Sequence, residues 1–227
     1  MEQLQLREKE IFEMLKKIKK RKFVVIGGYA VNAYTLPRFS VDCDIVIKDN
    51  DELKNIENNL YYLGYKKVKN ASETPYDGKF ERYEKELASS FKVSVDILIG
   101  EIFDRQTNAK FSAEWVFSNS KIRNLRGKTI EEELKINIIN VEALFTMKLI
   151  SCRSTDIRDL FLLVNLIKDK AWIKKEVSQR YDFKDRLSRL INEIKSKQFK
   201  DGLQGVFGLI DEKVFERNKS MILELEK

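Results

Sequence analysis

The chain has 227 residues, with 43 Lys and Arg against 36 Asp and Glu, two Cys, two Pro and no His. This length serves one large domain or two small ones, and 43% hydrophobic with 11% aromatic residues mark a folded chain. Without histidine there is no Ser-His-Asp or Cys-His pair, no His-bound zinc and no histidine base, so any chemistry must run on carboxylates, lysines, arginines and backbone amides.

The net charge of +7 fits either a solvated surface or an anionic partner such as a nucleotide or RNA. Cys43 and Cys152 are too few for a four-thiolate site and read as reduced thiols. No stretch free of charge approaches the length of a membrane span, and the charged start Met1-Glu-Gln-Leu-Gln-Leu-Arg-Glu is unlike a signal peptide. These features predict a cytoplasmic protein.

In chain order, Leu4, Ile11, Leu15 and Ile18 recur at helical spacing and predict an amphipathic helix over 4–20. Phe23-Val-Val-Ile26 is a β-branched run that stops at Gly27-Gly28, which reads as a buried strand. A short helix is expected over 29–34, a strand over 41–47 and a helix over 51–63 that Gly64 ends. Strands are expected at 65–68 and 80–84, around a polar loop holding Pro75 and Gly78. Phe91–Ile99 is the clearest strand of the chain, and 115–140 is expected to hold further short strands, one of them at 135–140. From Val141 the pattern turns helical, with helices expected over 141–153, 156–168, 183–194 and 211–225. The shift near 140 divides the expected α/β core, 1–140, from a helical domain, 141–227.

Three features point to chemistry. Glycines at a strand-to-helix turn, Gly27-Gly28, let backbone approach a ligand and offer amides to a phosphate, although many such pairs are only tight turns. Asp42-Cys43-Asp44 lies in an otherwise apolar strand. Alternation puts both aspartates on one face and Cys43 on the other, and two neighbouring carboxylates repel unless a cation or water intervenes. An all-oxygen pair suits Mg²⁺. Asp96 is embedded in Val93-Ser-Val-Asp-Ile-Leu-Ile, where an isolated buried carboxylate is costly. If its strand lies beside that of Asp42 and Asp44, the three carboxylates form a cluster that can hold divalent ions and accept a proton.

The run Phe23-Val-Val-Ile-Gly-Gly-Tyr-Ala, followed by Pro37-Arg-Phe-Ser-Val-Asp-Cys-Asp-Ile-Val-Ile47, resembles the DNA polymerase β-like nucleotidyltransferase superfamily. It is most similar to the branch containing abortive-infection toxins of the AbiEii type, and the resemblance covers about residues 20–100. It implies a nucleotidyltransferase core with a mixed sheet, followed by a C-terminal helical domain, with a cleft between them for substrate. It also implies Mg²⁺- or Mn²⁺-dependent transfer of a nucleoside monophosphate from an NTP to an acceptor hydroxyl. By this match Asp42 and Asp44 hold metal, Asp96 is the third ligand and the base, and Gly27 and Gly28 cradle the triphosphate. Many members carry Ser after the first Gly. Gly28 offers only its amide here, so Ser40 is the candidate to supply the hydroxyl, and Arg38 a candidate phosphate contact.

Lys148 shares a helix face with Val141, Leu144, Phe145 and Cys152, and a lysine there needs an exit to water or an anion. The run from Met147-Lys-Leu through Arg153 to Asp156-Ile-Arg-Asp159-Leu resembles the helical segment after the core in the toxin-like branch. The resemblance makes Lys148 a triphosphate contact, with Arg153 and Asp159 either assisting or forming a local salt-bridge network. The resemblance leaves the acceptor as an RNA end such as tRNA, a protein side chain or a small molecule, and it admits an antitoxin partner. The competing expectations are a catalytically inactive binding protein of the same fold and an antibiotic-modifying nucleotidyltransferase.

Overall fold

The computed structural model describes residues 2–68, 79–87, 91–208 and 211–226. The expected polar loop with Pro75 and Gly78 lies outside these residues. The described chain forms two compact units. One holds 1–33, 37–103 and 110–139; the other holds 34–36, 104–109 and 140–227.

The first unit is α/β. It opens with helix α1 (Glu2–Ile18), whose apolar positions Ile11, Phe12, Met14, Leu15 and Ile18 are all buried. Strand β1 (Val24–Val25), helix α2 (Gly27–Asn32) and strand β2 (Asp42–Ile47) follow, then helix α3 (Asn50–Tyr62). Asp49 caps α3 by accepting from the amides of Asp51 and Glu52, and Gly64, at φ +87°, ends the turn after it. Strands β3 (Lys66–Lys67), β4 (Lys79–Glu86) and β5 (Lys92–Ile99) come next. Two short strands, β6 (Glu101–Phe103) and β7 (Lys110–Ser112), pair with each other as a separate antiparallel ribbon that the sequence pattern does not reveal.

The expectation of strands over 115–140 needs one correction. Residues 113–118 form helix α4 (Ala113–Ser118) because the Ser112 hydroxyl accepts from the Trp115 amide and starts a helical turn. Strands β8 (Ser120–Leu125) and β9 (Leu134–Ile139) complete the unit.

The main sheet is mixed and has seven strands in the order β3-β4-β5-β2-β1-β9-β8. Strand β2 is central. It runs parallel to β5 and antiparallel to β1, and β1 in turn runs parallel to β9. One face of β2 and β5 carries Cys43, Ile45, Val95 and Ile97, all fully buried. Helices α1 and α3 pack against β5, and the Phe12 ring of α1 meets Tyr29 edge-on at 6.5 Å.

A buried carboxylate ties α1 to the loop before β9. Glu8, 1% exposed, accepts from the amides of Lys128 and Thr129 at 2.6 and 2.8 Å and from the Thr129 hydroxyl at 2.6 Å.

The second unit is built on helices α5 (Val141–Ser151), α6 (Ser154–Leu163), α7 (Lys170–Ser178), α8 (Phe183–Ile194), α9 (Lys197–Phe207) and α10 (Glu212–Leu223). Helix α6 stops at 163, short of the expected 168, where a 3₁₀ turn over 164–166 takes over. Helices α7 and α9 are additional to the sequence expectation. They start at Asp169 and Ser196, whose side chains accept from the amides of Trp172 and Phe199. Phe161, Phe199 and Phe215 meet with ring centroids 4.9 to 6.5 Å apart and fill the space between α6, α9 and α10. Cys43 and Cys152 are free, buried thiols. Among the described residues no helix is long and apolar enough to cross a membrane.

Glu8→Ala leaves two backbone amides and one hydroxyl without their buried acceptor. A loss of about 2–3 kcal/mol in unfolding free energy is expected, read as a lower urea midpoint at unchanged slope.

Candidate active site

The parallel pairing of β2 with β5 sets Asp44 opposite Asp96 and Asp42 opposite Ser94. Residues in register on neighbouring parallel strands point to the same face. The register therefore gathers Asp42, Asp44 and Asp96, and each offers a carboxylate oxygen within 4.8 Å of the other two. Asp96 is buried at 5% exposure, while Asp42 and Asp44 are half-buried.

The turn after β1 closes onto this cluster. The Ile26 amide donates to the Asp44 carbonyl at 3.0 Å, which fixes the turn against β2. Gly27 sits at φ +64°, and a Cβ there would collide with the Asp44 carboxylate. Both constraints select glycine. A Cβ on Gly28 would run into the Ser40 hydroxyl and come within 3.4 Å of Arg38 Nη2. The structure thus brings Gly27, Gly28, Arg38, Ser40, Asp42, Asp44 and Asp96 together.

The loop carrying Arg38 and Ser40 has its own clamp, which the sequence reading missed. The buried side chain of Asn32 accepts from the Arg38 amide at 3.1 Å and donates to the Arg38 carbonyl at 2.8 Å. A polar residue at the buried end of a short apolar helix was the available signal.

Arg82 on β4 is the second addition. It faces Asp96 across the antiparallel β4–β5 pairing and grips it with two bonds, Nε to Oδ1 at 2.7 Å and Nη2 to Oδ2 at 2.6 Å. The same Nη2 lies 3.9 Å from Asp42 Oδ2. Alternation places Arg82 with Phe80 and Glu84 on one face of an expected strand, but only the observed register shows which carboxylate it meets.

Burial raises the Asp96 carboxyl above its usual range. Arg82 opposes this shift and Asp42 adds to it. On the opposite face, burial pushes the Cys43 thiol well up, so it stays protonated and serves as core.

The donor set fits a hard divalent cation. It is all oxygen, carboxylate in kind, convergent, and walled by a glycine whose Cβ would fill the space beside Asp44. A cavity of about 420 Å³ lined by Phe23, Lys48, Glu52 and Phe117 adjoins the other ends of β1 and β2 and contains none of these carboxylates.

Lys148 belongs to the second unit, 7% exposed on α5. Its Nζ lies 2.9 Å from Asp156 and 2.8 Å from Asp159, itself fully buried. Burial alone pushes the lysine pKa down, but Asp159 and Asp156 together reverse this and hold the ammonium charged. The anion that its helix face requires is thus this carboxylate pair. Arg153 joins the same network: its amide donates to Asp156 at 3.3 Å and its guanidinium lies 3.5 Å from Asp104.

Two expectations follow. Gly27→Ala should cost about 1–3 kcal/mol through its left-handed backbone and displace Asp44, read by thermal unfolding. Asp159→Ala takes one of two carboxylates from the buried Lys148 ammonium and leaves it Asp156, and should cost about 1–3 kcal/mol. A loss below about 1 kcal/mol in urea unfolding would show that Lys148 does not depend on Asp159.

No curated protein matches the chain. The family model described as "Nucleotidyl transferase AbiEii toxin, Type IV TA system" matches residues 11–225, nearly the whole chain and both units. The mixed α/β sheet and its helical continuation agree with that match, and the chain belongs to the AbiEii nucleotidyltransferase toxin family.

Proposed function

We propose that the protein transfers a nucleoside monophosphate from an NTP to an acceptor hydroxyl with Mg²⁺ or Mn²⁺, at the cluster of Asp42, Asp44 and Asp96. The observation that carries this reading is the convergence of three carboxylates, one of which, Asp44, stands beside Gly27 of the glycine turn. Asp42, Asp44 and Asp96 would hold the metal, which supplies Lewis-acid activation of the α-phosphorus and neutralises triphosphate charge.

The remaining work falls to the chain's own groups. Gly27 and Gly28 bring backbone amides to the triphosphate without a side chain in the way. Ser40 supplies a hydroxyl in the space where a side chain on Gly28 would stand, and so replaces the serine that many relatives by resemblance carry there. Arg38 offers a guanidinium whose fork matches phosphate oxygens. Asp96 accepts the proton of the attacking hydroxyl. The acceptor oxygen bonds to the α-phosphorus, the bond from that phosphorus to the β-phosphate bridge breaks, and pyrophosphate leaves. Lys148 spends two of its three ammonium donors on Asp156 and Asp159. The third is the one a phosphate contact would use, a role that rests on the resemblance alone.

The acceptor is an RNA end such as tRNA, a protein side chain or a small molecule. The family's description as a toxin of a type IV system supports an antitoxin partner, and we place the protein in the cytoplasm. The net charge of +7 is compatible with an RNA acceptor.

The experiment incubates the protein with each labelled NTP, Mg²⁺ and total cellular RNA or protein. Labelled product should form and fall by at least about 10³-fold in Asp42→Ala/Asp44→Ala, the scale of losing a preorganised electrostatic group. Labelling that survives the double substitution would exclude this site. Absence of both product and Mg·NTP binding with all four NTPs would instead favour an inactive binding protein.

A further inference from the structure

Arg82 is the one group of the cluster that the reaction above does not use. Both oxygens of Asp96 are engaged by it, at 2.7 and 2.6 Å, and its Nη2 also approaches Asp42 at 3.9 Å. The guanidinium thus stands on the edge of the carboxylate cluster where a cation would sit. Three carboxylates and one guanidinium leave two negative charges, the charge of a single divalent ion. A second cation, or one that draws on Asp96, meets like-charge repulsion as long as Arg82 stays.

Asp96 needs this partner while no metal is bound, because a buried carboxylate without a counter-ion is costly. Arg82 is built to leave. Its side chain is 36% exposed, against 8% for Asp96, so a long flexible stem can carry the charged head to solvent or to an anion. A planar guanidinium that grips a carboxylate with two bonds matches phosphate oxygens equally well.

Building on the metal-dependent reading above, we propose that Arg82 is a positioning residue. It holds Asp96 as a counter-ion in the metal-free protein, lowers the affinity for divalent cations, and passes to the substrate's phosphates when Asp96 takes up its metal. Metal loading at Asp96 is thereby coupled to the arrival of an anionic substrate.

The test is titration of the full chain with Mn²⁺ alone, followed by calorimetry or electron paramagnetic resonance, and then with a non-hydrolysable NTP analogue added. Arg82→Gln should bind Mn²⁺ about tenfold more tightly than the unaltered chain, and Arg82→Lys should fall between the two. Adding Asp96→Asn to Arg82→Gln should abolish the gain. The analogue should bind Mn²⁺-loaded Arg82→Gln about tenfold more weakly.

Equal or weaker Mn²⁺ binding by Arg82→Gln, with Asp42-dependent binding retained in the unaltered chain, overturns the inference and leaves the active-site reading standing. Failure of the unaltered chain to bind Mn²⁺ with or without the analogue overturns the reading itself. Thermal unfolding shows whether Arg82→Gln is folded. If it is not, Arg82→Lys decides, and Mn²⁺ affinity no higher than that of the unaltered chain then overturns the inference.

Discussion

The parallel register between β2 and β5 is the constraint on which the site depends. Because Asp44 lies opposite Asp96, three carboxylates share one face of the two central strands, while Cys43, Ile45, Val95 and Ile97 fill the other. A shift of one residue along β5 would send Asp96 into the apolar layer and bring hydrophobic side chains out beside Asp42, and a shift along β2 would do the same to Asp42 and Asp44. The apolar face thus holds the carboxylates in place: slipping would expose hydrophobic side chains and bury unpaired charge together.

Gathering like charges is costly. Two carboxylates at 4.8 Å repel by an amount on the order of 3 kcal/mol at the effective dielectric of a protein surface. Three local devices answer this cost. Arg82 gives Asp96 a two-bonded counter-ion, Asp42 and Asp44 keep contact with water, and the glycine turn leaves the space beside Asp44 free of side chains. All three also suit metal binding, since each leaves oxygens directed at one point or a partner able to depart. The second unit solves the inverse problem. There one buried ammonium, Lys148, is matched by Asp156 and Asp159, and the excess of acid keeps it charged. Each unit therefore carries a polar cluster whose members are stable only together.

Much of this arrangement was legible in the residues. A β-branched run stopped by two glycines, an Asp-x-Asp in an apolar strand and an aspartate inside Phe91–Ile99 each announce themselves by breaking a local pattern. The stop at Gly64 is written in a single residue. Less legible were short elements such as β6, β7 and α4. Three to six residues carry too little periodicity to stand out, and their formation depends on one cap, such as Ser112, or on a partner strand. Arg82 and Asn32 escaped for a different reason. Their partners lie across a strand pairing or across a loop, and no spacing along the chain encodes that distance.

The sequence by itself determined the chemistry available: no histidine, too few cysteines, and aspartates at strand positions where only a cation or a counter-charge makes sense. It also determined the family, through the glycine turn and the Asp-x-Asp that follows it. Only the tertiary structure decided which charges meet. It set Asp96 beside Asp44, gave Arg82 to Asp96, put the Ser40 hydroxyl where a Gly28 side chain would stand, and matched Lys148 with Asp156 and Asp159. The reason is physical. Residue type and local alternation set what a side chain can do and to which face it points, whereas strand register and loop closure are properties of distant segments burying their apolar faces together.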